Sequence, residues 1–378
     1  MTREVMAIIL LGLSAVGCFY TLAAALLTLL FQRGHRPLPR RIEPVTILKP
    51  LCGDEPHLYE RLRSFCTQDY PAPVQIVLGV QKPQDTALGP ATRLAGAFPE
   101  RIAISAKAKE LGSNRKISNL VAMARLARHD VIILSDSDIE VGPDFLLEVI
   151  GELQRPGVSA VTCLYHGIPR SGIWSRLCAM VINTCFLPNV IAGLSLGLAQ
   201  PCFGSTIAMR RTTLRAIGGF AAFANQLADD YAIGTAVRSH GLVVAIPGFT
   251  IGHACQEDSF ASLWFHELRW ARTVRAVDPA GFAGMIITHP LVLALLGAAF
   301  AAQGLWLAAA ALACEYGLCL AVERRFKLPP HPCWMIPVRD ALAFAIYVSS
   351  FAGRAVHWRD HVYHVSDGGA LRTERAAR

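Results

Sequence analysis

The sequence predicts a parallel, three-layer α/β domain flanked by transmembrane helices. Short runs of branched aliphatic residues alternate with segments of helical character between residues 45 and 164, and this order is typical of a parallel sheet covered by helices on both faces. The mean hydropathy of +0.38 is the second observation. It is high for a domain surrounded only by water, so we expect some apolar residues to face lipid.

The predicted strands and helices follow one another in regular order. Apolar, β-branched runs predict strands at 45–48, 74–80, 101–105, 131–134 and 158–164. Helical patterns predict helices at 55–68, 117–128, 144–153 and 259–274. The run at 131–134 has four consecutive branched aliphatic residues, too few to cross a membrane, and therefore predicts a strand buried on both faces.

The first apolar segment predicts a retained membrane anchor. Residues 5–31 are 27 positions without a charge, which exceeds the roughly 20 that a transmembrane helix needs and is too long for a signal-peptide core. The loop after it is basic, so the positive-inside rule places the following domain in the cytoplasm; the loop residues are Arg33, His35, Arg36, Arg40 and Arg41. The predicted divisions are an anchor at 1–32, a cytoplasmic domain at 42–280, a transmembrane or interfacial region at 282–355 and a basic tail at 356–378.

Three further apolar segments follow the first one along the chain. Residues 180–199 are nearly free of charge but are interrupted by asparagine, proline and glycine. A full crossing there would put two parts of one domain on opposite sides of the membrane, so we expect an interfacial segment. Residues 282–322 predict a hairpin of two spans that breaks near Gln303. A third span at 341–352 stays open, because Arg339 and Asp340 precede it.

Charge and cysteine content limit the possible partners. The formal net charge is +8, but the basic residues gather beside apolar segments. A membrane surface and an anionic substrate therefore explain them better than nucleic acid does. The eleven cysteines form no C-x-x-C motif and no pattern with spaced histidines. They predict reduced, packed thiols rather than a disulfide or zinc framework.

Two carboxylates, Asp136 and Asp138, follow the strand at 131–134. In open α/β sheets ligands bind at the carboxyl ends of the strands, and paired carboxylates suit a divalent cation held against phosphate oxygens. The motif therefore predicts a metal site. A solvated turn, with Asp144 capping the next helix, is the alternative that this motif leaves open.

Further polar residues could contact a diphosphate-bearing ligand. Asp85 follows the second predicted strand and is expected to meet a base or ribose. Lys116 lies just before a helix, where a phosphate or ribose contact is favoured. Arg269 and Arg272 share one helical face and are expected to face the phosphates.

The adjacent acids Asp229 and Asp230 begin a predicted helix. A carboxylate of this kind can remove the proton of an attacking hydroxyl, so one of the two is a candidate general base while the other caps the helix. Helix capping by both is the alternative. Glycines 204, 218 and 219 are expected to be turn residues, and His253 is expected to be a packed or capping histidine.

These motifs together resemble the membrane-bound inverting glycosyltransferases of the GT-A, Rossmann-like fold. The resemblance rests on Asp85, Asp136-Ser-Asp138, Asp229-Asp230-Tyr231 and His266-x-x-Arg269-Trp270, in this order between apolar termini. The stretches 47–53, 114–120 and 201–210 are similar to the ceramide glucosyltransferase family, and most similar to its bacterial branch in hopanoid biosynthesis. The similarity extends over residues 45–275.

The resemblance implies a role for each matched position. It implies nucleotide contact for Asp85, metal association for Asp138, the general base for Asp230, and contact with the diphosphate and the acceptor for Arg269 and Trp270. His266 stands where the family usually has glutamine or arginine. Because histidine is shorter than either, its part in binding is the point at which this chain departs from the family.

The expected function is transfer of a sugar from a UDP-sugar to a hydroxyl of a membrane lipid, with Mg²⁺ or Mn²⁺ as cofactor. N-acetylglucosamine is the expected sugar and bacteriohopanetetrol, a hopanoid polyol, the expected acceptor, at the cytoplasmic face of a bacterial inner membrane. Glucosylation of ceramide or another lipid, a processive polysaccharide synthase and an inactive membrane scaffold are the alternatives. Three or four spans offer little channel for a polymer, and none of the expected catalytic acids is missing.

Overall fold

The structure is a computed structural model that describes residues 2–32, 37–53 and 55–353, together with the backbone of three short strands near the C-terminus. Arg33, His35 and Arg36 of the predicted basic loop lie outside the described residues, as do the side chains of the basic tail at 356–378. The strands are β1 Val45–Pro50, β2 Val74–Gly79, β3 Ile102–Ser105, β4 Val131–Leu134, β5 Ile139–Glu140, β6 Val158–Thr162, β7 Leu164–Pro169, β8 Ile207–Arg210, β9 Val243–Ala245, β10 Thr250–Cys255, β11 Ala355–Trp358, β12 His361–Val365 and β13 Leu371–Thr373.

Fourteen α-helices lie in the described part of the chain. They are α1 Arg3–Leu30, α2 Leu58–Cys66, α3 Leu88–Ala97, α4 Arg115–Ala124, α5 Phe145–Leu153, α6 Gly172–Val181, α7 Leu187–Ser195, α8 Arg211–Ala216, α9 Asp229–Ser239, α10 Phe260–Val277, α11 Pro279–Gly284, α12 Pro290–Ala298, α13 Gln303–Phe326 and α14 Met335–Ser350. A π-helix, Ile182–Phe186, joins α6 to α7, and 3-10 helices occupy Phe220–Phe223 and Met285–Thr288.

A seven-stranded sheet forms the centre of the α/β domain, with the strand order β3-β2-β1-β4-β8-β6-β9. Strands β1 to β4 are parallel, as predicted, whereas β8 pairs antiparallel with both β4 and β6. The sheet is therefore mixed rather than wholly parallel. A second sheet, β5-β10-β7, lies beside it. Helix α3 is absent from the sequence prediction.

The two faces of the sheet bury different residues, which gives the three layers. On β1, Ile47 packs into the cluster that contains Leu62 of α2 and Leu94 of α3. Its neighbour Leu48 packs on the opposite face with Leu120 of α4. Successive residues of a strand point to opposite faces, so a continuous apolar run is required wherever helices cover both sides.

Among the residues that the structure describes, three helical segments are long and apolar enough to cross a membrane: Arg3–Leu30, Gly172–Ser195 and Gln303–Phe326. A bent pair, Pro279–Thr288 and Pro290–Ala298 with an angle of 63°, makes a fourth if it is counted as one span. The predicted hairpin therefore has a bent first arm, and its turn lies at 299–302. Helix α14 has 16 residues and is not among these candidates.

Helices α1 and α13 run in the same direction within the bundle. Arg3 at the start of α1 donates to the carbonyl of Ala299, while Arg325 at the end of α13 donates to the carbonyl of Phe31 at 2.7 Å. Halfway along α1, the Ser14 hydroxyl donates to the carbonyl of Pro290 at 2.8 Å. Helix α12 therefore begins near the middle of α1, and α13 returns along its whole length.

The segment Gly172–Ser195 cannot be a single complete crossing. Strand β6 precedes this segment and β8 follows it, yet the two are hydrogen-bonded neighbours, with Ala160 opposite Met209. Both ends of the segment must therefore lie on the same side of any membrane. Its interfacial placement stays a prediction, and the strand pairing is compatible with it.

Candidate active site

A buried lysine of β1, Lys49, contacts the loop that follows β4. Lys49 has no exposed surface; its ammonium group donates to the Ser135 hydroxyl at 3.3 Å and to the carbonyl of Asp136, and it lies 3.9 Å from the ring centroid of Phe65. Burial lowers the pKa of Lys49 to about 7, against the attraction of Asp138 and Asp136. Lys49 therefore positions the acidic loop from inside the sheet.

Lys116 joins the two acidic pairs. Its ammonium nitrogen lies 2.7 Å from Asp136 Oδ1 and 3.2 Å from Asp229 Oδ2. Helix α4 places it there, because the Asn114 side chain caps that helix and accepts from the backbone N–H of Ile117. Burial opposes the charge of Lys116, but Asp136 and Asp229 outweigh it and raise its pKa.

The two acids of the β4 loop have opposite electrostatic environments. Burial raises the pKa of Asp136 to about 6, with Asp138 and Asp229 acting in the same direction and Lys116 against it. Burial also opposes the charge of Asp138, but His253, Lys49 and Arg61 together lower its pKa. Asp138 therefore keeps its negative charge more readily than its neighbour.

One carboxylate oxygen of Asp138 accepts no hydrogen bond from the part of the chain that the structure describes. Its Oδ1 atom is buried and has no hydrogen-bond partner among the described residues. His253 Nδ1 lies 3.6 Å away, beyond hydrogen-bond distance, and this carboxylate raises the pKa of His253 to about 9 although burial acts in the opposite direction. His253, which the sequence analysis treats as structural, is therefore a charged neighbour of the predicted metal ligand.

Asp230 is held by two backbone N–H groups. Gly204 donates to its Oδ2 and Tyr231 to its Oδ1, both at 2.8 Å. Burial and the adjacent Asp229 raise the pKa of Asp230, which makes it a stronger base than an ordinary aspartate. The N-cap of α9 is Ala228, without a side-chain cap, so neither acid of the pair occupies the N-cap position.

Gly204 lies between the two acidic pairs. A Cβ atom at this position would lie 2.7 Å from Asp136 Oδ2 and 3.0 Å from Lys116 Nζ. The carbonyl of Gly204 also accepts from the backbone N–H of Asp136. Gly204 lies in a turn, as expected, and is also required by close approach within the site. Gly218 and Gly219 are required for a different reason, because they have positive φ angles of 85° and 70°.

Asp85 lies at the same edge of the sheet, after β2. Its Oδ1 accepts from the backbone N–H of Gly53 at 2.7 Å and from that of Ala87 at 2.9 Å. It therefore ties the loop after β1 to the start of the next helix. Its expected contact with a nucleotide stays a prediction.

Helix α10 brings two of the predicted residues, His266 and Trp270, close to the acidic loop. His266 Nδ1 lies 2.5 Å from Glu257 Oε1, and burial lowers the pKa of His266. The Trp270 ring lies 4.2 Å from the His266 ring and 5.9 Å from the His253 ring. His253 also lies 3.6 Å from Asp138, so the His253 ring connects Trp270 to the predicted metal ligand.

The arginines of α10 have different neighbours. Arg269 is half-buried, one position before Trp270. Arg272 donates to the carbonyl of Ala352 at 3.1 Å, and Arg275 donates to the carbonyl of Gly353. The structure thus places Arg272 at the end of α14, and its predicted contact with phosphate stays a prediction.

Comparison with protein-family profiles identifies the family of this chain. A family profile described as Glycosyl transferase family 21 matches residues 10–371. The chain belongs to glycosyltransferase family 21. It is therefore a glycosyltransferase, and its predicted membership of a ceramide glucosyltransferase-like GT-A family is confirmed at this level.

Similar proteins include two from Caenorhabditis elegans. Ceramide glucosyltransferase 1 is 23% identical, with 92% of this chain and 77% of that protein covered. Ceramide glucosyltransferase 3 is 22% identical, with 96% and 82% covered. A mannosyltransferase from Pyrobaculum calidifontis, solved in complex with GDP-Man and Mn²⁺, is 21% identical with a TM-score of 0.57 over 93% of this chain and 99% of that one. This last likeness confirms the fold.

An aromatic cluster in this family 21 chain links the helical segment Gly172–Ser195 to the acids. The Tyr165 ring stacks on Phe186 of the π-helix at 4.6 Å and contacts Phe203 at 5.9 Å and His253 at 5.4 Å. Burial, with Asp230, Asp138 and Asp136, raises the pKa of Tyr165 well above its ordinary value. The cluster therefore borders the acidic site.

The sequence did not predict that several of these residues belong to the site. Lys49, Gly204 and His253 contact the acidic loop, and Tyr165 and Phe186 form the aromatic cluster. One signal was available for Lys49, because a lysine inside an apolar strand that is buried on both faces needs a charged partner. The aromatic residues carry no such signal in the sequence.

Proposed function

We propose that this glycosyltransferase transfers a sugar from a UDP-sugar to a hydroxyl group of a membrane lipid by one inverting displacement. The observation that carries the proposal is the convergence of the two acidic pairs at one end of the sheet. Lys116 contacts Asp136 and Asp229, and the backbone N–H of Gly204, which lies beside Asp136, donates to Asp230. A displacement of this kind needs charge stabilisation at the leaving diphosphate and a base at the attacking hydroxyl. Asp138 and Asp230 supply carboxylates suited to each.

Asp138, assisted by Asp136, is the proposed ligand of Mg²⁺ or Mn²⁺. Asp138 Oδ1 is buried without a hydrogen-bond partner among the described residues, and carboxylate oxygens are the ligands that these cations prefer. A divalent cation bound there would supply positive charge to the leaving diphosphate. The Mn²⁺ in the solved mannosyltransferase is consistent with this assignment.

Asp230 is the proposed general base. Its carboxylate accepts the proton of the acceptor hydroxyl while that oxygen attacks the anomeric carbon and the bond to the diphosphate breaks. The backbone N–H groups of Gly204 and Tyr231 fix its orientation. Asp229 is instead buried beside Lys116 and Asn114, so we assign it a structural role.

The remaining site residues are assigned to the donor and the acceptor. Asp85 contacts the nucleotide, and Lys116 adds a positive charge at the phosphates once the donor enters. Arg269 and Trp270 contact the diphosphate and the acceptor, with His266 beside them. Arg272 is also assigned to the donor, and its guanidinium group would have to exchange its hydrogen bond to the carbonyl of Ala352 for a phosphate oxygen.

A membrane lipid is the proposed acceptor because the site adjoins the apolar segments. Tyr165, Phe186 and Phe203 form a continuous aromatic contact from the π-helix to the acidic loop. Hopanoid polyol and N-acetylglucosamine are the acceptor and sugar we propose, on the resemblance of the motifs to the bacterial branch. We place the enzyme in the bacterial inner membrane with the catalytic domain facing the cytoplasm.

Glucosylation of ceramide is the second candidate. It is favoured by the two Caenorhabditis elegans relatives, which are ceramide glucosyltransferases and align with more than nine-tenths of this chain. The two candidates share the same catalytic residues. They differ in the sugar pocket and in the lipid.

The test is a transfer assay with purified protein in lipid vesicles. Labelled UDP-N-acetylglucosamine and UDP-glucose are each supplied with bacteriohopanetetrol, with ceramide or with neither, and the products are identified by mass. We expect label on the hopanoid polyol from UDP-N-acetylglucosamine, and none with D230N. Glucosylceramide as the main product would select the second candidate, and the absence of any lipid product would contradict a lipid acceptor.

A further inference from the structure

Two thiols and a carboxylate meet beneath helix α10, outside the acidic site. Cys178 lies on α6, Cys255 ends β10, and Glu257 follows two residues later. Their relative exposures are 0%, 1% and 6%. One ligand atom from each lies within 4.8 Å of the other two. Two separate parts of the chain, α6 and the end of β10 with the residues after it, thus place three metal-binding atoms around one buried point.

We propose that Cys178, Cys255 and Glu257 bind a zinc ion. Thiolate and carboxylate ligands suit Zn²⁺, and thiolates select it over Mg²⁺ and Mn²⁺. Binding replaces the two thiol protons, which are released to solvent, so no oxidant or reductant takes part. This site goes beyond the proposed transfer reaction, and it differs from the sequence prediction of packed thiols without zinc.

The carboxylate is arranged to accept a cation. Glu257 Oε1 is held by His266 Nδ1 at 2.5 Å, and no N–H or O–H group donates to the buried Oε2 among the described residues. An orienting hydrogen bond from a second residue is common around metal ligands. His266 therefore positions Glu257, with Oε2 left for the metal.

A second cluster in the described part of the chain shows the contrast. Cys319, Glu323 and His331 also lie within 4.8 Å of one another. There, however, Glu323 Oε1 accepts from the His331 backbone N–H at 2.7 Å and lies 3.0 Å from its Nδ1. Asn183 Nδ2 lies 3.3 Å from His331 Nε2, and Asn183 is oriented by accepting from Gly167, so the proton of the imidazole is on Nδ1. Hydrogen bonds account for that cluster.

The proposed zinc would join β10 to α6 next to the catalytic residues. Cys255 is two residues from His253, which faces Asp138. Glu257 contacts His266, whose ring contacts Trp270. The cluster is thus connected to His253 through Cys255 and to Trp270 through Glu257 and His266. A bound zinc that fixes the β10–α6 junction would help to hold His253 and Trp270 in position.

The test measures bound metal rather than transfer activity. Protein purified in mild detergent from zinc-supplied cells is desalted against a weak chelator, and its zinc content is measured by mass spectrometry. We expect one zinc per chain in the wild type and in Cys66→Ala, which removes another buried thiol outside the cluster. Cys178→Ala and Cys255→Ala should lose it.

A cobalt titration of the wild-type protein makes the test independent of how the variants fold. Co²⁺ added to metal-free protein should produce a thiolate-to-cobalt charge-transfer band, and equimolar Zn²⁺ should remove it. Wild-type protein without zinc and without this band would overturn the proposal. Unchanged zinc in both cysteine variants, or a Cys178–Cys255 disulfide in freshly purified protein, would overturn it as well.

Discussion

The two acidic pairs of the site, Asp136 with Asp138 and Asp229 with Asp230, differ in what surrounds each carboxylate. Lys116 contacts one member of each pair, Asp136 and Asp229. The other two acids, Asp138 and Asp230, differ in the hydrogen bonds that their carboxylate oxygens accept. Asp138 has a buried oxygen without a hydrogen-bond partner among the described residues, whereas both oxygens of Asp230 accept backbone N–H groups.

This difference separates two chemical tasks. The Asp138 oxygen faces His253 at 3.6 Å but makes no hydrogen bond within the described residues, so it can bind a cation without first losing one. A carboxylate fixed by two backbone groups is oriented, and its raised pKa makes it a better proton acceptor. One lysine thus stabilises the two acids with supporting roles, and the other two are left for metal binding and proton transfer.

The largest expected effect comes from the proposed base. In Asp230→Asn we expect turnover to fall by about 10²–10⁴-fold, because the amide cannot accept the proton. Affinity for the UDP-sugar, measured by calorimetry, should change little. Asp229→Asn is the matched comparison and should lose less turnover; equal losses in the two variants would remove the distinction within this pair.

The next largest effect is expected at the proposed metal ligand. Asp138→Asn should lower kcat/KM on the order of 10²–10³-fold, because charge stabilisation at the leaving group is lost. Mn²⁺ binding, followed by electron paramagnetic resonance, should weaken in parallel. Chelation should abolish wild-type transfer, and added Mg²⁺ or Mn²⁺ should restore it; indifference to chelation would contradict the cation assignment.

A smaller loss is expected when the space between the pairs is filled. Gly204→Ala adds a methyl group 2.7 Å from Asp136 Oδ2, so the Gly204 loop must move and carry the N–H donor of Asp230 with it. We expect a loss of about tenfold in kcat, since misplacement of catalytic groups by as little as 1 Å is costly. Gly96→Ala, at a helix position where a Cβ meets nothing within 4 Å, is the control and should keep full activity.

The smallest expected effect is a shift in pH dependence. Asp230 acts only when ionised, so activity should be lost as the pH falls through its pKa, which burial and Asp229 raise above the ordinary 3.8. Lys116 lowers that pKa, and Lys116→Met should therefore move the acid limb of kcat to higher pH. Stopped assays across the pH range measure the limb, and an unmoved or lowered limb would argue against Asp230 as the titrating base.

The amino-acid sequence by itself determined the main elements of this protein and the place of its acids. Branched aliphatic runs predicted β1, β2 and β4, because strands covered on both faces must be apolar throughout. Asp85 and Asp138 could be placed near one another, because the carboxyl ends of parallel strands lie at one edge of a sheet. The family motifs added Asp230, Arg269 and Trp270.

The tertiary structure alone decided which charges meet. Lys116 and Asp229 are more than one hundred residues apart, and their contact depends on how α4 and α9 pack on the sheet. The antiparallel insertion of β8 brings Gly204 against Asp136, and no local pattern encodes that neighbour. Hydrophobic periodicity is a property of nearby residues, whereas the charge, the space and the hydrogen bonds of this site arise between segments that only the completed fold brings together.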